Sequence, residues 1–361
     1  MSELSFLPFA QARRRAAETV VVDSLLPGAS LTLAHWRGAP TPVALCDDTS
    51  AGSVLRALRQ TGAIPAAARY VTANHFDIDG FIGVWSLLNP EQARQHEELL
   101  HLVATLGDFR ELDWSHPLAT TALKLACWLN AKEQELFYPP FGAPVLRRRE
   151  DEASAEKFAW FLPAFGAVLE NPNAEAATWA PAYERVEQAF VVVQSPQTQL
   201  HRYPEIGLLV VHTLEPLPYY ALFGPTAGYD MVLSCYAGQR YEFEYKYTTW
   251  IDLESRPTRP RLPLHALAAS LNAAETAPHR WTFEAVTDTG PLLRLAGKTL
   301  SKVQRYADPD QRPIHASTIS PEAVEQEVVQ FFRQRYAHIE PLKDWTWEQI
   351  RAAGAAVATL A

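Results

Sequence analysis

The spacing of apolar and polar positions changes character along this chain. Up to about residue 150, short apolar runs alternate with stretches of helical spacing. TPVALCDD (41–48) is an apolar run that ends in two acids and reads as a buried strand. In TSAGSVLRALRQTG, Asp48 or Thr49 can cap a helix with Val54, Leu55 and Leu58 on one face and Gly62 near its end. ARYVTANHFDIDG reads as a second strand, and FIGVWSLL as a helix turn or two. Asn89-Pro90 then restarts a helix, as cap and first position, that runs through EQARQHEELLHLVATLGDF to Gly107-Asp108. Strands alternating with helices predict a mostly parallel sheet.

The charge run PVLRRREDEASAE (144–156) reads as a solvated linker or a helix start. Helical spacing continues to about residue 190, with Pro163 and Pro172 as breaks. From about residue 200, IGLLVVHT, YYALFG, YDMVLSCY and RYEFEYKYTTW read as strands in quick succession. The last alternates strictly, with Tyr241, Phe243, Tyr245 and Tyr247 on one face and Glu242, Glu244 and Lys246 on the other, so a sheet with one wet face is expected. A basic loop entering a helix, RWTFEAVTDTGPLLRL and two helical segments close the chain.

The fold class expected is α/β: a mostly parallel sheet with flanking helices, plus a second, smaller, sheet-rich α/β domain. The expected boundaries are 1–150 for the first domain, 151–195 for a helical connector, 196–340 for the second domain and 341–361 for a C-terminal helix.

Composition narrows the function classes. A chain of 361 residues is too long for one comfortable core, so two domains are the natural expectation. Apolar residues make up 48% and charged residues 20%, the balance of a soluble globular protein. A net charge of −9 argues against a dedicated nucleic-acid coat. Cys46, Cys127 and Cys235 are far apart in apolar surroundings and read as buried thiols in a reducing compartment. No window approaches 18 consecutive apolar residues, and the N-terminus is a poor signal peptide. The expectation is a cytoplasmic protein with no membrane contact.

The chemistry gathers in ANHFDIDGFIG (73–83). In an extended segment His75, Asp77 and Asp79 would project to one side, at the C-terminal end of a strand, where open α/β sheets bind ligands. Gly80 would let the backbone turn tightly into the next helix. Close carboxylates repel unless a cation lies between them. With an imidazole beside them the set suits a divalent metal, Mn²⁺, Mg²⁺ or Zn²⁺. Asp-x-Asp-Gly also occurs in plain surface turns; the neighbouring His and the strand-to-helix context favour the metal.

NHFDIDG resembles the first motif of the DHH phosphoesterase superfamily, particularly its RecJ-like and nanoRNA-degrading branches. The chain also resembles a bacterial family marked by NHFDxDG near its N-terminus and SRPxRPR near its C-terminus. The DHH resemblance implies an α/β catalytic domain, a smaller substrate domain, and hydrolysis of a phosphodiester or phosphoanhydride with divalent metal, usually Mn²⁺. It implies His75, Asp77 and Asp79 as metal ligands, with Asp108 as the single Asp of the second motif that bridges the metals. The substrate would be a small phosphorylated molecule or a short oligonucleotide. The sequence departs from the pattern in lacking an Asp-His-His triplet. Asp113 and His116 are the nearest candidates, at the wrong spacing, and the Gly-Gly-His signature is missing too. The alternative is therefore a catalytically degenerate relative that binds a nucleotide or a partner.

Arg256, Arg259 and Arg261 alternate with prolines and are the candidates for phosphate contact, since guanidinium groups fork onto phosphate oxygens. Asp47 or Asp48 could orient a His ligand, or simply cap a helix. His96 and His101 stand at i and i+5, wrong for a zinc-protease helix and suited to a solvated face. His212 reads as a satisfied strand-end histidine.

Overall fold

The computed structural model describes residues 4–138, 149–287 and 290–358. These form two compact units, Met1–Glu184 and Arg185–Ala361. The class is α/β, as expected.

In the first unit the strands are β1 (Ser5–Phe6), β2 (Thr19–Val22), β3 (Leu31–Leu33) and β4 (Tyr70–Thr72). They lie in the order β1-β4-β2-β3, with every ladder parallel. A short helix, α1 (Phe9–Ala12), follows β1. The remaining helices are α2 (Ser50–Arg59), α3 (Ile78–Leu88), α4 (Pro90–Gln95), α5 (Glu97–Phe109), α6 (Ala119–Phe137) and α7 (Glu150–Glu170), and α8 (Ala176–Gln194) spans the boundary between the units.

Val20, Val21 and Val22 of the central β2 are wholly buried, as a parallel strand covered on both faces requires. Helix α3 is apolar almost all round and presses on it. A Cβ at Gly83 would come within 2.6 Å of Val22 Cγ1, so this close approach needs glycine. Phe158, Phe161 and Phe165, spaced three and four apart on α7, pack on Phe76 and Phe81, with Phe76–Phe161 centroids 4.9 Å and Phe81–Phe165 centroids 5.2 Å apart.

Several local expectations differ. Residues 41–48 are not a strand: Val43–Leu45 is a 3₁₀ turn, and the apolar runs that enter the sheet are 19–22 and 31–33. The helix through Gly107 breaks at His96. The start of the charge run, residues 144–148, lies outside the described residues, and a helix begins at Glu150. That helix is not a separate connector: its aromatic face belongs to the first unit's core. Pro163 sits inside α7 instead of breaking it.

In the second unit the strands are β5 (Gln199–Tyr203), β6 (Leu208–Thr213), β7 (Met231–Tyr236), β8 (Arg240–Tyr245), β9 (Trp281–Phe283) and β10 (Leu292–Leu295). They form a mixed sheet in the order β5-β6-β7-β8-β10-β9, in which only β6–β7 is parallel among the described ladders. Its helices are α9 (Tyr219–Leu222), α10 (His265–Ala274), α11 (Lys302–Tyr306), α12 (Pro321–Tyr336) and α13 (Trp347–Ala358). YYALFG, expected as a strand, is α9. Residues 288–289, between β9 and β10, lie outside the described residues.

The expected wet face of β8 is dry. Tyr241, Phe243 and Tyr245 enter the core, but Glu242, Glu244 and Lys246 on the other face are also buried, at 3%, 5% and 1% exposure. The period-2 pattern placed the side chains correctly and misjudged what covers them. Arg312 donates to Glu242 through Nε at 3.0 Å and Nη2 at 2.5 Å, and Arg294 Nε lies 2.8 Å from the same carboxylate. Lys246 donates to the Thr226 carbonyl at 2.8 Å.

No disulfide joins Cys46, Cys127 and Cys235. No helix among the described residues is long and apolar enough to cross a membrane.

Candidate metal centre

Three adjacent strands of the first sheet, β4, β2 and β3, end at one place. Asp23 follows β2 directly, His35 stands two residues past β3, and His75 and Asp77 follow β4. Adjacent parallel strands deliver these side chains to the same carboxyl edge. Asp79 comes from the first turn of α3 and Asp108 from the last turn of α5.

His75, Asp77 and Asp79 therefore do not project from one extended strand. Asp77 is the cap of α3: its Oδ1 accepts the Gly80 N–H at 2.8 Å, while its Oδ2 lies 3.0 Å from His75 Nε2. Asp79 is already helical and points at the start of α2. Its Oδ2 and Oδ1 accept the N–H groups of Ser50 and Ala51 at 2.7 and 2.8 Å. Two helix N-termini thus face the cluster, and their dipoles offset part of its negative charge. Gly80 serves by its lack of bulk and not by turning the chain, since a Cβ there would lie 3.0 Å from Asp77 Oδ1 and 3.4 Å from Asp23 Oδ2.

Asp23 and His35 were not singled out from the sequence, and they complete the centre. Asp23 is 1% exposed and held at φ 47°, a left-handed conformation that costs energy for a residue with a Cβ. Its Oδ2 lies 3.2 Å from His75 Nε2 and its Oδ1 3.4 Å from His35 Nε2. Its Oδ1 also accepts from Ser50 Oγ at 2.8 Å and Trp36 Nε1 at 2.9 Å. His35 Nδ1 lies 2.7 Å from the Asp48 carbonyl oxygen. A carbonyl can only accept, so Nδ1 carries hydrogen. Nε2 then faces Asp23, Asp108 Oδ2 at 3.4 Å and Asp79 Oδ2 at 3.9 Å. A histidine fixed by its far nitrogen with the near one turned to carboxylates is the usual disposition of a metal ligand. The orienting group is the backbone of Asp48 and not a carboxylate.

Two trios that could hold a metal ion result, Asp23–His75–Asp77 and Asp23–His35–Asp79, each with its ligand atoms within 4.8 Å of one another. Asp23 belongs to both, one oxygen turned toward each histidine. Asp108 faces the same place beside His35. The sequence signal for Asp23 and His35 was present: TVVVD and LTLAH are short apolar runs closed by an Asp and a His. Taking residues 41–48 as the strand hid both.

The electrostatics follow from crowding acids in a dry site. Burial pushes the Asp79 carboxyl up to about 7, with the charges of Asp23 and Asp77 adding and His35 opposing. Burial likewise pushes Asp108 well above the carboxylate range, reinforced by Asp79, Asp77 and Asp23. Burial opposes charge on His75, but Asp77 and Asp23 outweigh it and hold the ring up to about 12. Against its own burial, Asp77 is held low by the His75 charge and the Gly80 N–H. Protons thus stand where positive charge is needed. A mixed nitrogen and oxygen set without thiolate suits a divalent ion of the Mn²⁺, Mg²⁺ or Zn²⁺ kind.

The other sequence candidates lie elsewhere. Asp113 and His116 form a local turn: Asp113 Oδ1 accepts from Ser115, and His116 Nε2 lies 3.3 Å from Glu98. Asp47 bonds His101 at 2.9 Å and Arg56 at 2.8 Å, while His96 lies 3.0 Å from Glu170, so the two histidines of HEELLH serve different acids.

The expected phosphate-binding arginines hold the second unit together. Arg256 Nη1 donates to Asp230 at 2.6 Å, and Arg259 donates to the carbonyls of Ile339 and Glu205 at 2.7 and 2.6 Å. Arg261 is 2% exposed and donates to Thr249 Oγ1 at 2.8 Å and the Lys246 carbonyl at 2.9 Å. Arg261 is turned inward, while Arg256 and Arg259 are half-buried, and all three guanidiniums are engaged by protein partners.

Residues 2–343 match the model of a family described as Family of unknown function (DUF6687). No curated protein and no solved structure matches the chain.

Proposed function

The chain belongs to that family of unknown function (DUF6687), and we propose that it is a metal-dependent phosphoesterase of the DHH-like kind. It would hydrolyse a phosphodiester or phosphoanhydride in a small phosphorylated molecule or short oligonucleotide. One observation carries the reading: four carboxylates and two imidazoles from separate elements meet at the carboxyl edge of a parallel sheet, with Asp23 common to two ligand trios. A scaffold has no use for such a cluster, because buried like charges destabilise it. His75, Asp77 and Asp23 would hold one ion, and Asp23, His35 and Asp79 a second, with Asp108 beside it. Divalent metal would activate water for attack and neutralise charge on the phosphoryl oxygens. The chain's own contribution is to orient these ligands: the Asp48 carbonyl fixes the His35 tautomer, Asn74 Oδ1 sits 2.6 Å from His75 Nδ1, and the α2 and α3 N-termini hold Asp79 and Asp77.

The test is a screen of generic phosphodiester and phosphoanhydride substrates with Mn²⁺, on wild type and Asp77→Asn. Metal-dependent hydrolysis that falls at least 100-fold in the variant is expected. Wild type that binds Mn²⁺ but hydrolyses nothing would replace this reading with the degenerate nucleotide- or partner-binding one, which the missing Asp-His-His triplet favours.

A further inference from the structure

The second unit carries another group of ligating side chains, independent of the acid centre. In the antiparallel β5–β6 ladder His201 pairs with Val210 and Gln199 with His212. His201 and His212 are therefore diagonal neighbours on one sheet face, within reach of each other, and their ring centroids are 4.7 Å apart. Glu325 reaches both from α12: Oε1 lies 2.8 Å from His201 Nδ1 and Oε2 3.0 Å from His212 Nε2. One ligand atom from each of the three lies within 4.8 Å of the others. Tyr203, two residues along β5 on the same face, donates its hydroxyl to Glu325 Oε1 at 2.6 Å and so fixes the carboxylate. The Glu325 side chain is 9% exposed, whereas those of His201 and His212 are open to solvent at 44% and 22%.

We propose that His201, His212 and Glu325 form a site for a transition-metal ion of the zinc class, which clamps β5 to α12. Two imidazoles and one carboxylate form a donor set suited to Zn²⁺, with a fourth position left to water. Ligands about 2.0–2.1 Å from a tetrahedral ion stand roughly 3.4 Å apart. The N···O distances of 2.8 and 3.0 Å mean that each histidine–carboxylate pair need open by only a few tenths of an ångström. A hydrogen-bonded pair needs one imidazole; here two converge on one fixed carboxylate. The clamp also has a structural reason: β5 ends the sheet and, among the described strands, is bonded along one side only, to β6. An edge strand gains most from a tie to a neighbouring helix.

The experiment is equilibrium dialysis of the full chain against Zn²⁺, with bound metal counted per chain by elemental analysis. Asp23→Asn, which removes the residue common to both trios of the first unit, serves as the parent, and any zinc the first unit still holds cancels between parent and derivative. On that background His201→Ala, His212→Ala and Glu325→Gln are each expected to hold one zinc fewer than their parent. X-ray absorption of the zinc-loaded parent should show two imidazole nitrogens. His201 is exposed enough that its loss leaves the fold intact, which far-ultraviolet circular dichroism checks. If the parent and its His201→Ala derivative retain the same zinc, or the absorption spectrum shows no imidazole, the proposal is wrong. Neither result bears on the phosphoesterase reading, which rests on other residues.

Discussion

Asp23→Asn removes one charge and one ligand atom while keeping the hydrogen bonds made on the other oxygen. The amide oxygen can still accept from Ser50 Oγ and Trp36 Nε1, now at 2.8 and 2.9 Å, and the amide nitrogen takes the place of Oδ2, 3.2 Å from His75 Nε2. Asp79→Asn would be a poorer probe, because both its oxygens accept backbone N–H groups. An ion that binds only the folded state stabilises it by about 2.7 kcal/mol at a hundredfold excess over Kd. For a unit ending at Glu184, each kcal/mol moves the melting temperature by about 2–4 °C, so Mn²⁺ should raise that of wild type by roughly 5–10 °C. If losing the shared ligand weakens binding a hundredfold, the same Mn²⁺ concentration equals the variant's Kd and contributes about 0.4 kcal/mol, a shift of about 1 °C. The assay is thermal unfolding of chelator-treated protein over a Mn²⁺ series, followed by circular dichroism. An Asp23→Asn protein that shifts as far as wild type would refute Asp23 as the common ligand. A wild type that shifts with none of Mn²⁺, Mg²⁺ and Zn²⁺ would remove the centre altogether.

Asp79, pushed up to about 7, and Asp108, pushed higher than the usual range, hold protons below those values that an ion must displace. Mn²⁺ affinity should therefore rise with pH through about 7, by up to about tenfold per pH unit for each proton displaced. Calorimetry at pH 6 and 8 in buffers of different ionisation enthalpy counts those protons, and a flat affinity contradicts the electrostatic account. Gly80→Ala should weaken Mn²⁺ binding several-fold, because its Cβ crowds Asp77 Oδ1 at 3.0 Å, while the metal-free melting temperature stays within about 2 °C. Equal affinity in that variant would show that the close approach is not needed. Glu242→Gln leaves Arg312 and Arg294 without their carboxylate in a dry site and should cost about 3–5 kcal/mol in urea unfolding. A loss below 1 kcal/mol would mean the trio is solvated.

What the sequence determined by itself was the class of each region and the presence of a cluster of acids and histidine. Alternation of apolar runs with helical spacing is a local property, so the parallel α/β unit and the later sheet-rich unit were legible. Asp77 and Asp79 were legible as a chemical cluster because two acids beside a histidine between apolar segments have no ordinary packing use. The tertiary structure decided everything that depends on distant partners. Asp23 and His35 join His75 only because β2 lies between β3 and β4, a strand order that no local pattern encodes. Glu242, Glu244 and Lys246 alternate as a solvated face would, yet they are covered: Arg294 and Arg312, from segments far along the chain, pair with Glu242, Tyr219 donates its hydroxyl to Glu244, and Lys246 donates to the Thr226 carbonyl. Arg256, Arg259 and Arg261 looked available for phosphate for the same reason: periodicity tells which way a side chain points, while burial and pairing depend on what the rest of the chain brings to meet it.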